Sequence, residues 1–156
     1  MKKLAQIFLF TTAIWLPQFA EARPVTITAE VASYRGPAAY VVVYLTGPDK
    51  KFHSTIWLAS EKQKYLPHLR GWHNAALRNG MQIDGISGAS VGAGRTLTIN
   101  TDIADALIDA GYILHVDAAA EDIGASARDI SVALNSDDKT QNLRGRHFIR
   151  SFSVKM

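Results

Sequence analysis

The chain reads as a mainly β protein, an antiparallel immunoglobulin-like β-sandwich with a short helical insertion, and three observations predict it. Seven or so short segments rich in β-branched and aromatic residues recur between turn signals at near-regular spacing. Most of them alternate apolar with polar residues, the period of a strand with one wet face. The 156 residues include no cysteine, so packing without disulfides must hold the domain together.

The chain opens on a leader. Met1-Lys2-Lys3, an apolar run from Leu4 through Leu16, and Ala20-Glu21-Ala22 supply the basic start, short apolar stretch and Ala-x-Ala site of a cleaved secretory signal peptide. The run falls short of the ~20 residues that a membrane span needs. Residues 1–22 are therefore set aside, and residues 23–156 are expected to form one domain of ordinary size. The absence of cysteine excludes a lipid-anchored lipoprotein, iron–sulfur clusters, thiol chemistry and c-type haem attachment. Of 17 basic and 14 acidic side chains, Lys2, Lys3 and Glu21 lie in the leader, which leaves about +2 on the domain before histidine. That balance is too even to argue for nucleic acid.

Taken in order, Val25–Tyr34 alternates as a strand and Arg35-Gly36-Pro37 turns it. Ala39–Leu45, with Tyr40-Val41-Val42-Val43-Tyr44, reads as a central strand. Gly47-Pro48-Asp49-Lys50 is a turn, and Phe52–Leu58 closes a meander. Residues 60–66 and 72–79 read as two short helical pieces, the first with a capping box of Ser60 and Gln63, interrupted by Pro67 and Gly71. Between or beside them stand Tyr65, His68, Arg70, Trp72 and His73. Either Tyr65, Leu69 and Trp72 cap one end of the sandwich, or an aromatic ring of Trp72 or Tyr65 stacks on a cofactor whose phosphate meets Arg70. Arg95–Asn100 is a strand, Thr101-Asp102 caps a helical turn that Gly111 ends, and Tyr112–Val116 is a strand. Residues 117–127 fit a helical turn or a loop equally well. Asp129–Leu134 and Phe148–Val154 complete the strands, with a turn over Asn135–Asp138.

Chemistry concentrates in Asp84-Gly85-Ile86-Ser87-Gly88-Ala89-Ser90 and its continuation Val91-Gly92-Ala93-Gly94. Its glycines allow positive φ and close approach to another molecule, and the loop offers one carboxylate and two hydroxyls at three-residue intervals. Asp-x-x-Ser-Gly-Ala-Ser resembles the acceptor motif of bacterial FAD:protein FMN transferases, which attach FMN through a phosphoester to the last Ser or Thr. With the leader, the β-rich domain, the Trp- and His-bearing segment and the terminal strand, the chain resembles the predicted periplasmic family known as domain of unknown function 2271. That resemblance implies a periplasmic carrier with covalent FMN on Ser90. It implies recognition through Asp84, Ser87, Gly88 and Ala89, and two partners: the transferase and a PepSY-type or other membrane redox protein. Such a protein is a redox carrier and the substrate of a flavin transferase, with no catalytic residue of its own.

Two other classes compete. Gly88-Ala89-Ser90-Val91-Gly92 matches the G-x-S-x-G nucleophile elbow, with His115 and His147 downstream as bases, but an elbow needs a strand before it and a helix after it. Alternatively, the domain is a cofactor-free structural or binding module of the envelope, and the glycine stretch is a long hairpin turn. Histidines 53, 68, 73, 115 and 147 are scattered, and a spacing of five puts His68 and His73 on different faces of a helix, so no metal site is expected.

Overall fold

The computed structural model describes residues 21–60, 62–78, 87–136 and 142–156. Among the described residues eight strands form two sheets. β1 (Ala22–Val31), β5 (Thr96–Ala104) and β8 (Ile149–Lys155) make a three-stranded antiparallel sheet in the order β5-β1-β8. β2 (Tyr40–Thr46), β3 (Phe52–Ala59), β4 (Ser87–Gly88), β6 (Ile113–Ala120) and β7 (Gly124–Ala133) make a five-stranded sheet in the order β4-β3-β2-β6-β7. The protein is mainly β, with one short α-helix among the described residues, α1 (Arg70–Leu77).

Alternation builds the core between the sheets. Val25, Ile27, Ala29 and Val31 of β1 point inward with Ile99 and Ile103 of β5 and Phe152 and Val154 of β8. Opposite them lie Val41, Val43 and Leu45 of β2, Leu114, Val116 and Ala118 of β6, and Ile130 of β7. Every residue of β2 is buried, because the five-stranded sheet is covered on its other face as well. There Tyr40, Val42, Tyr44, Leu58 and Ala119 meet Tyr65, Leu66, Leu69, Trp72 and Ala76 of the helical segment. A strand covered on both faces reads as an unbroken apolar run rather than an alternating one.

The helical segment thus lies across a sheet face and not at one end of the sandwich. It begins with a 3-10 helix over Gln63–His68 that contains Pro67, and the break before α1 falls at Leu69, whose φ of −79° and ψ of 64° are non-helical. The expected capping box is absent: Lys62 occupies the cap without a side-chain bond, and Ser60 Oγ donates instead to Lys62 O. Asp117, on β6, anchors the start of α1. Its Oδ2 accepts the Trp72 N–H at 2.7 Å, and its Oδ1 accepts the Arg128 N–H at 2.7 Å and the Tyr44 hydroxyl at 3.2 Å. Gly71 makes this approach possible, since a Cβ there would stand 2.7 Å from Asp117 Oδ2. The β6–β7 register shifts at this point, and Arg128 takes a left-handed φ of 51°.

Other expectations change in extent. β5 continues through Ala104, so Thr101 and Asp102 are strand residues and the helical turn starts only at Asp105. β6 runs on to Ala120 and β7 begins at Gly124, so residues 117–127 are mostly strand around a three-residue turn in which Asp122 takes a φ of 61°. The turn at Gly47–Lys50 forms as expected, with Lys50 N–H donating to Gly47 O. β1 starts at Ala22, where the leader was expected to end. Not every pairing is antiparallel: β4 lies parallel to β3.

Removing the Asp117 carboxylate leaves two buried donors, of Tyr44 and Trp72, and the part-buried Arg128 N–H without an acceptor, at about 1 kcal/mol or more each. Asp117→Ala is expected to cost about 3 kcal/mol in chemical denaturation, against under ~0.5 kcal/mol for exposed Asp102→Ala. A loss below ~1 kcal/mol for Asp117→Ala would show that the carboxylate does not anchor the helix.

Candidate functional site

The glycine segment is a strap between the sheets rather than a hairpin turn. Ser87 and Gly88 pair with Leu58 and Ala59 at the edge of the five-stranded sheet, and Gly88 O accepts the Ser60 N–H. Val91 then exchanges both main-chain hydrogen bonds with Ala39, at 2.7 and 2.8 Å. Gly94, at a φ of 72°, donates to the carbonyls of Val31 and Ala32 at the end of β1, and Arg95 O accepts the Val31 N–H. Within eight residues the chain crosses from one sheet to the other, and the glycines serve close packing and a left-handed turn.

Ser90 lies between the two anchorages and is partly exposed. It borders two clefts. One, of about 580 Å³, continues along Val91, Gly92, Gly94, Arg95, Thr96 and Leu97. The other, of about 140 Å³, is lined by Pro37, Ala38, Tyr40, Lys62 and Glu121. Arg95 lines the first of these clefts, and Lys62 lines the second together with Glu121. Ser87 and Ala89 are exposed and Gly88 is half-buried, while Asp84 lies outside the described residues.

The aromatic side chain beneath Gly88 of the strap is Trp57. Its Cζ2 stands 2.9 Å from where a Cβ on Gly88 would be, so the strap rests on the indole and only glycine fits there without a shift. Its Nε1 is buried without a hydrogen-bond partner among the described residues. Nothing in the sequence singled out Trp57 from the other inward residues of β3. Trp72, expected to stack on a cofactor, is fully enclosed in the cluster beneath α1, and its Nε1–H donates to Thr55 Oγ1 at 2.8 Å. It presents no open ring face, which corrects that expectation and leaves it a packing role. Tyr65 is engaged too. It stacks on Tyr40 with centroids 4.9 Å apart, carries Lys64 Nζ over its ring at 4.6 Å, and donates its hydroxyl to Glu121 Oε1 at 2.6 Å. Arg70 opens α1 and is exposed, away from the clefts at Ser90.

The elbow geometry does not form. After Ser90 the chain makes a bridge, a turn and strand β5, and neither cleft at Ser90 includes a histidine. His147 is exposed before β8. His115 is buried on the helix-covered face, with Nε2 3.0 Å from Thr46 Oγ1 and Nδ1 2.8 Å from Ser131 Oγ. Burial, and then the charge of nearby Arg128, lowers its pKa to about 4. Burial, followed by the Asp117 charge, pushes the Tyr44 hydroxyl above its ordinary range. Among the described residues no three His, Asp or Glu side chains gather as a metal site.

Compared with known proteins, residues 22–151 match the family described as predicted periplasmic protein, domain of unknown function 2271. No curated protein and no solved structure matches.

Two outcomes are expected. As pH falls, the unfolded imidazole takes up its proton near its ordinary value of 6.5 while folded His115 resists to about 4. The stability it contributes is thus complete above pH 6.5 and declines by up to about 3 kcal/mol toward pH 4. Denaturation of the wild type and His115→Gln at pH 7.5 and 4.5 checks this, and an equal loss in both proteins refutes it. Gly88→Ala is expected to displace the Trp57 indole, shifting tryptophan emission and costing about 1–2 kcal/mol. Unchanged emission and stability would mean that the strap does not rest on Trp57.

Proposed function

We propose, from the premise that the chain belongs to this family of predicted periplasmic proteins, that it is an exported electron carrier holding FMN through a phosphoester on Ser90. The observation that carries the reading is the seating of Ser90, in a segment tied down on both sides and bordered by the Arg95 cleft. A phosphodiester on Ser90 Oγ would bring one negative charge to that cleft. Arg95 is the group suited to meet it, through a charge-assisted hydrogen bond. Trp57 beneath Gly88 offers an indole N–H with no partner among the described residues. When bound, FMN supplies one- and two-electron chemistry to a chain with no cysteine.

A serine hydroxyl is a weak nucleophile without an adjacent base or metal, and no histidine lines either cleft. Activation therefore belongs to the partner, an FAD:protein FMN transferase with its magnesium ion. In the transfer, Ser90 Oγ bonds to the flavin-side phosphorus of FAD, and the pyrophosphate bridge breaks. AMP leaves with the bridging oxygen, and the hydroxyl proton passes to a base of the transferase. No group is oxidised or reduced. Exposed Ser87 and Ala89 are the positions available for recognition, with Asp84 and Gly88 completing the motif. The electron partner in this reading is a PepSY-type or other membrane redox protein, reached after export and cleavage at Ala22. We also propose the immunoglobulin-like β-sandwich as the general form of the two facing sheets.

A second reading, a cofactor-free structural or binding module, is favoured by the strap itself. Its glycines have an architectural reason at Gly88 and Gly94 without any cofactor.

Intact mass separates the two. Exported protein co-expressed with a flavin transferase is expected to gain the mass of one FMN, lost in Ser90→Ala and kept in Ser87→Ala. Loss only in Ser87→Ala would move the attachment point. No gain in any sample, beside a control substrate that is modified, would leave the cofactor-free module.

A further inference from the structure

A third cleft lies on the other side of the β1 terminus from the strap. It has a volume of about 530 Å³ and is walled by Ala32 and Ser33 on one side and by Arg144, Arg146, His147 and Arg150 on the other. Its size falls in the range of small-ligand sites. We propose that this cleft binds a phosphate-bearing anion, an inference independent of any flavin on Ser90.

The wall is built and not merely basic. Buried Asp129 of β7 accepts the main-chain N–H groups of His147 and Ile149, each at 2.7 Å, and of Phe148 at 3.2 Å. Its own carbonyl accepts the Arg146 N–H at 3.2 Å. Gly145 packs against the same carboxylate so closely that no side chain fits there. Ala32 N–H donates to Phe148 O at 2.7 Å and closes the opposite wall onto this segment. With Leu143 bridged to Phe152 just before it, the backbone from 143 to 149 is thereby held in one shape, and the side chains of Arg144, Arg146 and His147 project from it, exposed.

Among the described residues the negative charges near the cleft are already engaged. Asp129 faces three main-chain donors, and Glu30 pairs with Arg150 at 3.5 Å. Among the described residues neither Arg144 nor Arg146 has an acidic partner. Two guanidinium groups on a fixed segment, with a third close by, suit the several oxygens of a phosphate better than one carboxylate. The chemistry has two sources, a soluble phosphate compound or a phospholipid headgroup, and the test separates them.

Inorganic phosphate titrated into the exported protein at low ionic strength is expected to bind saturably and to perturb the amide resonances of residues 144–150. Arg144→Ala/Arg146→Ala is expected to weaken this binding about tenfold or more, with the melting temperature kept, whereas Lys155→Ala binds as the wild type. Sedimentation with phosphatidylglycerol vesicles, against phosphatidylcholine vesicles, is the second arm. Arginine-dependent capture by the anionic vesicles assigns a headgroup, and phosphate binding without capture assigns a soluble ligand. Absence of saturable binding in both arms, or equal binding by the double variant, would overturn the proposal.

Discussion

One buried carboxylate sets the terms for half of this structure. An ionised group taken out of water is costly unless hydrogen bonds replace its hydration, and Asp117 meets that demand with donors from three elements: Tyr44 of β2, Trp72 of α1 and Arg128 of β7. Meeting it requires a register shift between β6 and β7, a left-handed Arg128 and a glycine at position 71. In return α1 is seated on the sheet, with a negative charge where a helix N-terminus favours one. The cover over Tyr40, Val42 and Tyr44 depends on that seating, and so does the burial of both faces of β2.

A second buried carboxylate, Asp129, has the corresponding role between the sheets. It stands on β7 of the five-stranded sheet and gathers the main chain that leads into β8 of the three-stranded one. The glycine strap joins the same two sheets from the β3 edge. The end of β1 lies between these two devices: Ala32 accepts from Gly94 of the strap and donates to Phe148 of the Asp129-bound segment. Ser90 and the arginine cleft therefore both sit where the sheets are tied together, on backbone fixed by hydrogen bonds. Sites held in this way keep their geometry better than sites on loops free at the tip.

Strands whose burial is simple were legible. β1 and β8 alternate, and β2 is an apolar run bounded by turn residues; in each the sequence period and the observed burial agree, whereas β3, expected to alternate, is half-buried through most of its length. Residues 117–127 were not. Asp-Ala-Ala-Ala has no strand period and favours helix locally, yet it is strand because small side chains fit between the inner core and the helix-covered face. An aspartate inside such a run was itself a signal, since Asp is depleted from strands and a buried one implies donors arriving from elsewhere. The place of the helical segment was hidden for a related reason. Its aromatic residues announced burial, but only the second apolar face of β2 shows which surface they cover.

At the candidate site the chain by itself determined residue types: hydroxyls, small residues and glycines in one short stretch, a Gly where the chain turns left-handed at 94, and a β-rich domain free of cysteine behind a leader-like start. These arise from local rules of propensity, steric freedom and periodicity, which need only near neighbours in sequence. Only the tertiary structure decided that the stretch crosses between sheets, that Trp57 and not Trp72 lies against it, and that Arg95 and Lys62 line the clefts that Ser90 borders. The arginines of the third cleft could be read from the sequence, but Asp129 beneath them could not. Those placements depend on pairings between residues far apart in the chain. Strand register and the satisfaction of buried charge choose such pairings, and neither acts until the whole sheet is assembled.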